Sequence, residues 1–190
     1  MAGRLTEGAI ARAAHRLGCE VAAIRAVIDV ESAGAGFLGD GRPKVLLEAH
    51  VFSRETGGYF DHSHPTLSTR HWQRDLYKGG AAEYLRVYQA AQLNGEAAMR
   101  ACSWGLFQIM GFNFAECGEK SLHGFLLAMH HNEDAQLALF TGFIESASLA
   151  APLRSRDWAT FARGYNGSSY ARNQYDTKLA AAYAQHKGEG

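Results

Sequence analysis

A chain of 190 residues has room for one domain of ordinary size, with a core large enough to need neither disulfides nor a structural metal. Its 19 lysines and arginines balance 19 aspartates and glutamates, which argues against nucleic-acid binding through bulk charge, and its 47% hydrophobic content argues against disorder. No apolar run approaches the ~18 residues that span a bilayer, and the N-terminus lacks the apolar core of a signal peptide. The expectation is synthesis in the cytosol, no stable membrane association, and exit by some route other than the secretion machinery.

Helical periodicity dominates. Thr6 caps a first helix whose apolar face is Ile10, Ala13, Ala14 and Leu17, and Gly18 stops it. A second helix, about 20–32, carries Val21, Ile24, Val27, Ile28 and Glu31 on one side and ends in Ala33-Gly34-Ala35-Gly36. Residues 44–52 are ambiguous. Alternation places Leu46, Glu48, His50 and Phe52 on one strand face, and the reading is a short strand passing into a helical turn. Residues 57–80, bracketed by glycine pairs and holding Tyr59, Phe60, Trp72 and Tyr77, are too long for an idle connection and predict a functional loop. Helices are predicted over 81–93 and 96–103, a buried apolar segment over 104–114, and further helices over 121–129, 133–146, 157–163 and 171–187. The fold class expected is mainly α, with a minor β element.

Glu31 stands out because of its phase. It lies three residues after Ile28, four after Val27 and seven after Ile24, so its carboxyl continues an apolar stripe. A carboxyl held against apolar side chains is desolvated, which raises its pKa and suits it to general acid work. Against this stands the ordinary alternative, a helix-end glutamate whose head reaches water.

The neighbouring blocks shift that balance. Glu31-Ser32, then Gly105-Leu106-Phe107-Gln108, then Tyr165-Asn166, in that order, resemble the signature blocks of goose-type lysozymes and soluble lytic transglycosylases. Longer stretches, 26–34, 46–52, 103–111, 157–167 and 175–179, are similar to the N-acetylmuramidase domain of phage endolysins, a likeness running from about 20 to 184. The resemblance implies a lysozyme-like α+β fold with a small β-hairpin beside the catalytic helix. It also implies Glu31 as the catalytic acid for the β-1,4 bond between N-acetylmuramic acid and N-acetylglucosamine, and Gln108, Tyr165 and Asn166 as glycan-binding residues. The partner implied is bacterial peptidoglycan. The expected organisation is a monomer with one catalytic domain over 1–190 and no separate wall-binding module.

Hydrolysis of such a bond usually needs a second carboxylate, as nucleophile or as base for water. Glu48 is the first candidate and Asp61 the second. Lytic transglycosylases need one glutamate only, because the muramoyl C6 hydroxyl attacks and leaves an anhydro sugar, so that outcome stays open. A glycan-binding, tail-associated protein without activity is the third reading. Trp104, Tyr59, Phe60 and Trp72 are candidate sugar platforms, although Trp104 and Phe107 read better as core. His62-x-His64 and His130-His131 lack the spacing of a known zinc motif, and Cys19, Cys102 and Cys117 form no CxxC pair. Neither metal nor cofactor is expected. Zero net charge conceals an uneven distribution, with six basic and three acidic residues over 150–190, a candidate wall-facing patch.

Overall fold

In the computed structural model, residues 3–32, 34–167 and 170–188 are described; Ala33, inside the predicted glycine-rich turn, lies outside them. α1 (Glu7–Leu17) starts where the Thr6 hydroxyl accepts the Ala9 N–H, and ends at Gly18 in the left-handed conformation. α2 (Val21–Glu31) buries Ala23, Ile24, Ala26 and Val27, and Glu31 is its last helical residue. Val21, predicted on the buried face, is 39% exposed because it opens the helix at the rim.

The short strand passing into a helix is present as β1 (Val45–Leu47) and α3 (Ala49–Glu55). The extended alternation ends at Leu47: the Glu48 carbonyl already accepts the N–H groups of Val51 and Phe52, so the backbone is helical from Ala49. Glu48 therefore does not share a strand face with Phe52. α4 (Gly80–Leu93) and α5 (Gly95–Arg100) follow, then β2 (Cys102–Trp104) and β3 (Ile109–Met110). The predicted helix over 96–103 stops early. Cys102, Ser103 and Trp104 are buried as a strand pairing with β1 on one side and β3 on the other, and that burial overrides local helical preference. The result is a three-stranded antiparallel sheet, β1-β2-β3, which contains the expected hairpin.

α6 (Leu122–His131), α7 (Glu133–Ser146), α8 (Ala150–Ser155), α9 (Trp158–Asn166) and α10 (Tyr175–Gly188) complete the helical part. α8 was not anticipated. α10 starts four residues later than expected, because Gln174 adopts φ 55° and separates it from a 3-10 turn at Tyr170–Asn173. The core gathers Leu17, Ile24, Leu47, Phe52, Phe125, Leu137, Phe140, Ile144, Phe161 and Leu179, and α10 lies along α2.

Two buried polar devices tie the loops to this core. Glu83 is fully buried on α4; one carboxylate oxygen accepts the Leu47 N–H (3.1 Å) and is paired with Arg86, while the other accepts the N–H groups of Lys78 (2.9 Å) and Gly79 (3.2 Å). Arg86 in turn donates to the carbonyls of Leu47 (3.2 Å) and Thr66 (3.0 Å). The 57–80 connection is thereby pinned at its middle, Thr66, and at its far end, Lys78 and Gly79, to the residues that also hold β1. On α7, Glu133 accepts the N–H groups of Gly36 (2.7 Å) and Leu5 (2.9 Å). Gln136, one turn on, accepts the Leu106 N–H and donates to the Met129 carbonyl, both at 2.8 Å. α7 thus fixes both the chain after Glu31 and the turn between β2 and β3.

Candidate active site

Glu31 reaches the wall of a cleft of about 360 Å³ lined by Phe107, Gln108, Met110, Asn113, Tyr165 and Asn166, with Phe143 and Tyr175 beyond them. Three segments distant in sequence meet there: the end of α2, the β2–β3 turn, and the end of α9. Glu31 is half-buried, and among the described residues it is the one carboxylate lining this cleft. Burial pushes its pKa above the ordinary carboxylate value, while a hydrogen bond from the Asn166 amide (2.8 Å to Oε1) and the positive charge of Lys178 offset part of the rise. Desolvation prevails, as expected for a carboxyl on an apolar stripe.

Gln108 lines the cleft, but its side-chain amide is used at both ends: Oε1 accepts the Ser103 hydroxyl (3.0 Å) and Nε2 donates to the Gly105 carbonyl (2.8 Å). Those two bonds hold the backbone at φ 49°, a left-handed conformation uncommon for a glutamine. Tyr165 donates its hydroxyl to the Phe107 carbonyl (3.2 Å) and packs against Phe140, Phe143 and Phe161. Burial, with the Glu31 charge adding to it, raises its phenol well above the usual value, so Tyr165 stays neutral and fixes α9 against the β2–β3 turn. Asn166 alone of the three places a polar group directly on Glu31.

The two other carboxylates lie elsewhere. Glu48 accepts a 2.5 Å hydrogen bond from the Tyr77 hydroxyl and stands 3.4 Å from His50 Nδ1, and it is not among the cleft-lining residues. Asp61 accepts the Ser68 hydroxyl at 2.6 Å, which together with Ser53 and Arg70 holds its carboxyl below the usual range. Both are bound into the 57–80 loop. Of the candidate platforms, Trp104 is 2% exposed and donates its indole N–H to the Met99 carbonyl, Phe60 is stacked on Phe52, and Tyr59 and Trp72 are 80% and 59% exposed.

A second pocket of about 300 Å³ adjoins the first, with Gln108 as their common wall, and is lined also by Leu38, Lys44, Val45, Leu46, Gly79 and Gly80. Among the described residues no three histidines, cysteines or carboxylates are placed to hold a metal ion. The three cysteines are free thiols, and burial pushes Cys19 up to about 11 and Cys117 up to about 12, which makes them poor nucleophiles. Two of the C-terminal basic residues are engaged as well: Arg156 and Lys187 both pair with Glu20.

Sequence could not have found Glu83, Arg86, Glu133 and Gln136. On helices, such residues read as solvated faces, and only the i, i+3 spacing of Glu83 and Arg86 beside the buried Val87 and Ala90 hinted otherwise.

A search of curated proteins finds no match. No helix among the described residues is long and apolar enough to cross a membrane. The crystal structure of the Burkholderia AP3 phage endolysin superposes with a TM-score of 0.91 at 42% identity, over 97% of this chain and 72% of that one. The family described as N-acetylmuramidase matches residues 20–187, a span holding Glu31, the β2–β3 turn and Asn166. The chain belongs to the N-acetylmuramidase family, whose members are glycoside hydrolases.

Proposed function

We propose that this protein cleaves the β-1,4 bond between N-acetylmuramic acid and N-acetylglucosamine in bacterial peptidoglycan, as an endolysin, with Glu31 as general acid. One observation carries the assignment. The carboxyl at the end of α2 opens on a cleft, is raised in pKa by burial, and is held by an amide from a helix 135 residues away. A protonated carboxyl so placed donates its proton to the leaving glycosidic oxygen as the bond breaks. Gln108, Tyr165 and Asn166 are the glycan-binding residues of this proposal: all three line the cleft, Gln108 keeps one amide N–H and one carbonyl lone pair beyond its two internal bonds, and Asn166 also orients the acid itself.

Glu48 takes the role of second carboxylate in this proposal, with Asp61 as its alternate. Its chemistry supports the role and its position outside the lining of the Glu31 cleft does not, so substitution decides. A fall in turnover for Glu48→Gln beyond what its Tyr77 contact explains, judged against Tyr77→Phe, assigns the role. Undiminished turnover removes it.

The absence of any other carboxylate along the described cleft wall favours one further reading, cleavage without water to give an anhydro sugar. Mass spectrometry of the muropeptides released from purified sacculi separates the two, because the anhydro product is lighter by one water. Glu31→Gln that binds sacculi but releases nothing supports catalysis at Glu31; unchanged release refutes it. Cell-wall binding by the native protein with no release identifies a glycan-binding protein. A monomer released through a permeabilised membrane completes the proposal, and equal lysis of intact and outer-membrane-stripped cells contradicts that route.

A further inference from the structure

A single exposed aromatic ring is ordinary on a protein surface. Trp72 is set apart by what it joins. It is 59% exposed, its ring centroid lies 6.3 Å from that of Tyr77 with the planes at 61°, and the Tyr77 hydroxyl donates to Glu48 Oε2. The two rings are not stacked, and the indole keeps most of its surface in solvent. Burial, with the Glu48 carboxylate adding to it, raises the Tyr77 phenol well above its usual value, so the hydroxyl remains a donor at neutral pH. His50 Nδ1 is 3.4 Å from the same Glu48 oxygen.

Tyr77 and Glu48 end two backbone paths that leave the pocket beside Gln108. Along β1, Leu46 lines that pocket and Glu48 follows two residues later on extended backbone. Burial alternates over this stretch: Val45 and Leu47 face the core, while Leu46 and Glu48 are half-buried on the other face. Along the loop, Gly79 lines the pocket and Tyr77 precedes it by two residues, and a Cβ at Gly79 or Gly80 would meet open space. The Tyr77–Glu48 hydrogen bond therefore ties the two walls of the pocket together. Gln108 is shared with the Glu31 cleft, and Ser103, which donates to Gln108, is paired with Leu46 across β1 and β2. One continuous surface thus runs from Glu31 past Gln108 and Leu46 to Glu48, Tyr77 and Trp72.

A pyranose is held by an aromatic face against its C–H bonds and by polar side chains at its hydroxyl and amide groups. The far end of this surface supplies both, in the Trp72 indole, the Glu48 carboxylate and the His50 imidazole. We infer that Trp72 is the platform of an outer sugar subsite, with the glycan strand lying along the exposed face of β1 from the Glu31 cleft to this ring. A β-1,4-linked strand is an extended polymer, which suits a groove of linked pockets. The inference rests on the peptidoglycan reading above and deepens it, because it makes the enzyme prefer long glycan strands to short fragments.

The test is a length preference. Glycan strands freed of their stem peptides by an amidase and sorted by length are offered to the full chain as tetrasaccharide and octasaccharide. The native protein should show the higher kcat/KM on the octasaccharide. Trp72→Ala should lower that preference about tenfold, the effect of truncating one aromatic anchor, through KM on the octasaccharide. Trp72→Phe should keep most of it. A second measurement uses Glu31→Gln, which holds the strand uncut. Octasaccharide should shield its indole emission from acrylamide, and adding Trp72→Phe should remove the shielding, since Trp104 is buried and contributes little. Equal kcat/KM for the two lengths in the native protein, a preference that survives Trp72→Ala, or an indole as open to acrylamide with octasaccharide as without it overturns the proposal. Cleavage reports separately: shielding at Trp72 without cleavage by the native protein supports the groove and refutes the muramidase reading.

Discussion

Asn166 donates its side-chain amide to Glu31 Oε1 at 2.8 Å, joining the last residues of α9 and α2. A donor to the carboxylate favours the ionised form, so this bond opposes the desolvation that raises the Glu31 pKa. Removing it should raise the Glu31 pKa further. A general acid works below its pKa and fails as pH rises through it, so Asn166→Ala should move the alkaline limb of the pH–rate profile upward. Its maximal rate should nevertheless fall about tenfold or more, because the carboxyl loses its orientation. An unmoved limb in kcat/KM profiles would separate Asn166 from the acid.

Glu31→Gln should abolish turnover by roughly 10²–10⁴-fold, the usual contribution of a general acid. It should also stabilise the fold. Glu31 has a folded pKa above its unfolded value, so the native state binds the extra proton, and stability falls as pH rises from the ordinary glutamate range through the raised value. Glutamine avoids that ionisation. Thermal melts should place the variant above the native protein at pH 7, with the difference closing near pH 4. A variant less stable at both pH values would mean that Glu31 is solvated.

These relationships were legible in the sequence to different depths. The phase of Glu31 against Ile24, Val27 and Ile28 was enough to identify a carboxyl on an apolar stripe, because a helix repeats over a few residues. The Asn166 contact spans 135 positions and has no local signature; the ordered Glu-Ser, Gly-Leu-x-Gln and Tyr-Asn blocks suggested that Asn166 shares a cleft with Glu31, as a glycan ligand, and not that it bonds the carboxyl. Gln108 is a different case. Its residue type suggested a ligand for sugar, and the structure adds that the β2–β3 turn makes one bond to each end of its amide, while the strand that creates the turn was itself hidden under helical propensity at 102–103.

Arg86→Met should be costly despite its distance from Glu31. The substitution leaves the Glu83 carboxylate buried with its charge uncompensated, a loss of about 3–5 kcal/mol for broken buried pairs. It also frees the Thr66 carbonyl and so one anchor of the 57–80 loop. Urea unfolding should show the midpoint falling, and limited proteolysis should cut first within 57–80. Replacing both residues, Glu83→Gln with Arg86→Met, should recover part of the loss, because no net charge is then buried. A double variant no better than the single one would show that the hydrogen bonds to Leu47, Lys78 and Gly79, and not the ion pair, hold the loop.

Gly105→Ala tests how tightly α7 constrains the turn beside the cleft. Gly105 has φ 70°, and a Cβ there would stand 2.7 Å from Gln136 Cδ. Gln136 cannot swing aside freely, since it is fully buried and bonded to the Leu106 N–H and the Met129 carbonyl. The left-handed backbone costs about 1–2 kcal/mol for any residue with a Cβ, and the overpacking about 1–3 kcal/mol more. A melting temperature lower by roughly 5–15 °C is expected for a domain of this size. The strain falls on the turn that carries Leu106, Phe107 and Gln108, so relaxation moves the cleft wall and not the acid. KM on sacculi should therefore rise more than kcat falls, and the Glu31 limb of the pH profile should stay in place. A shifted limb would instead mean that the turn and the carboxyl move as one body.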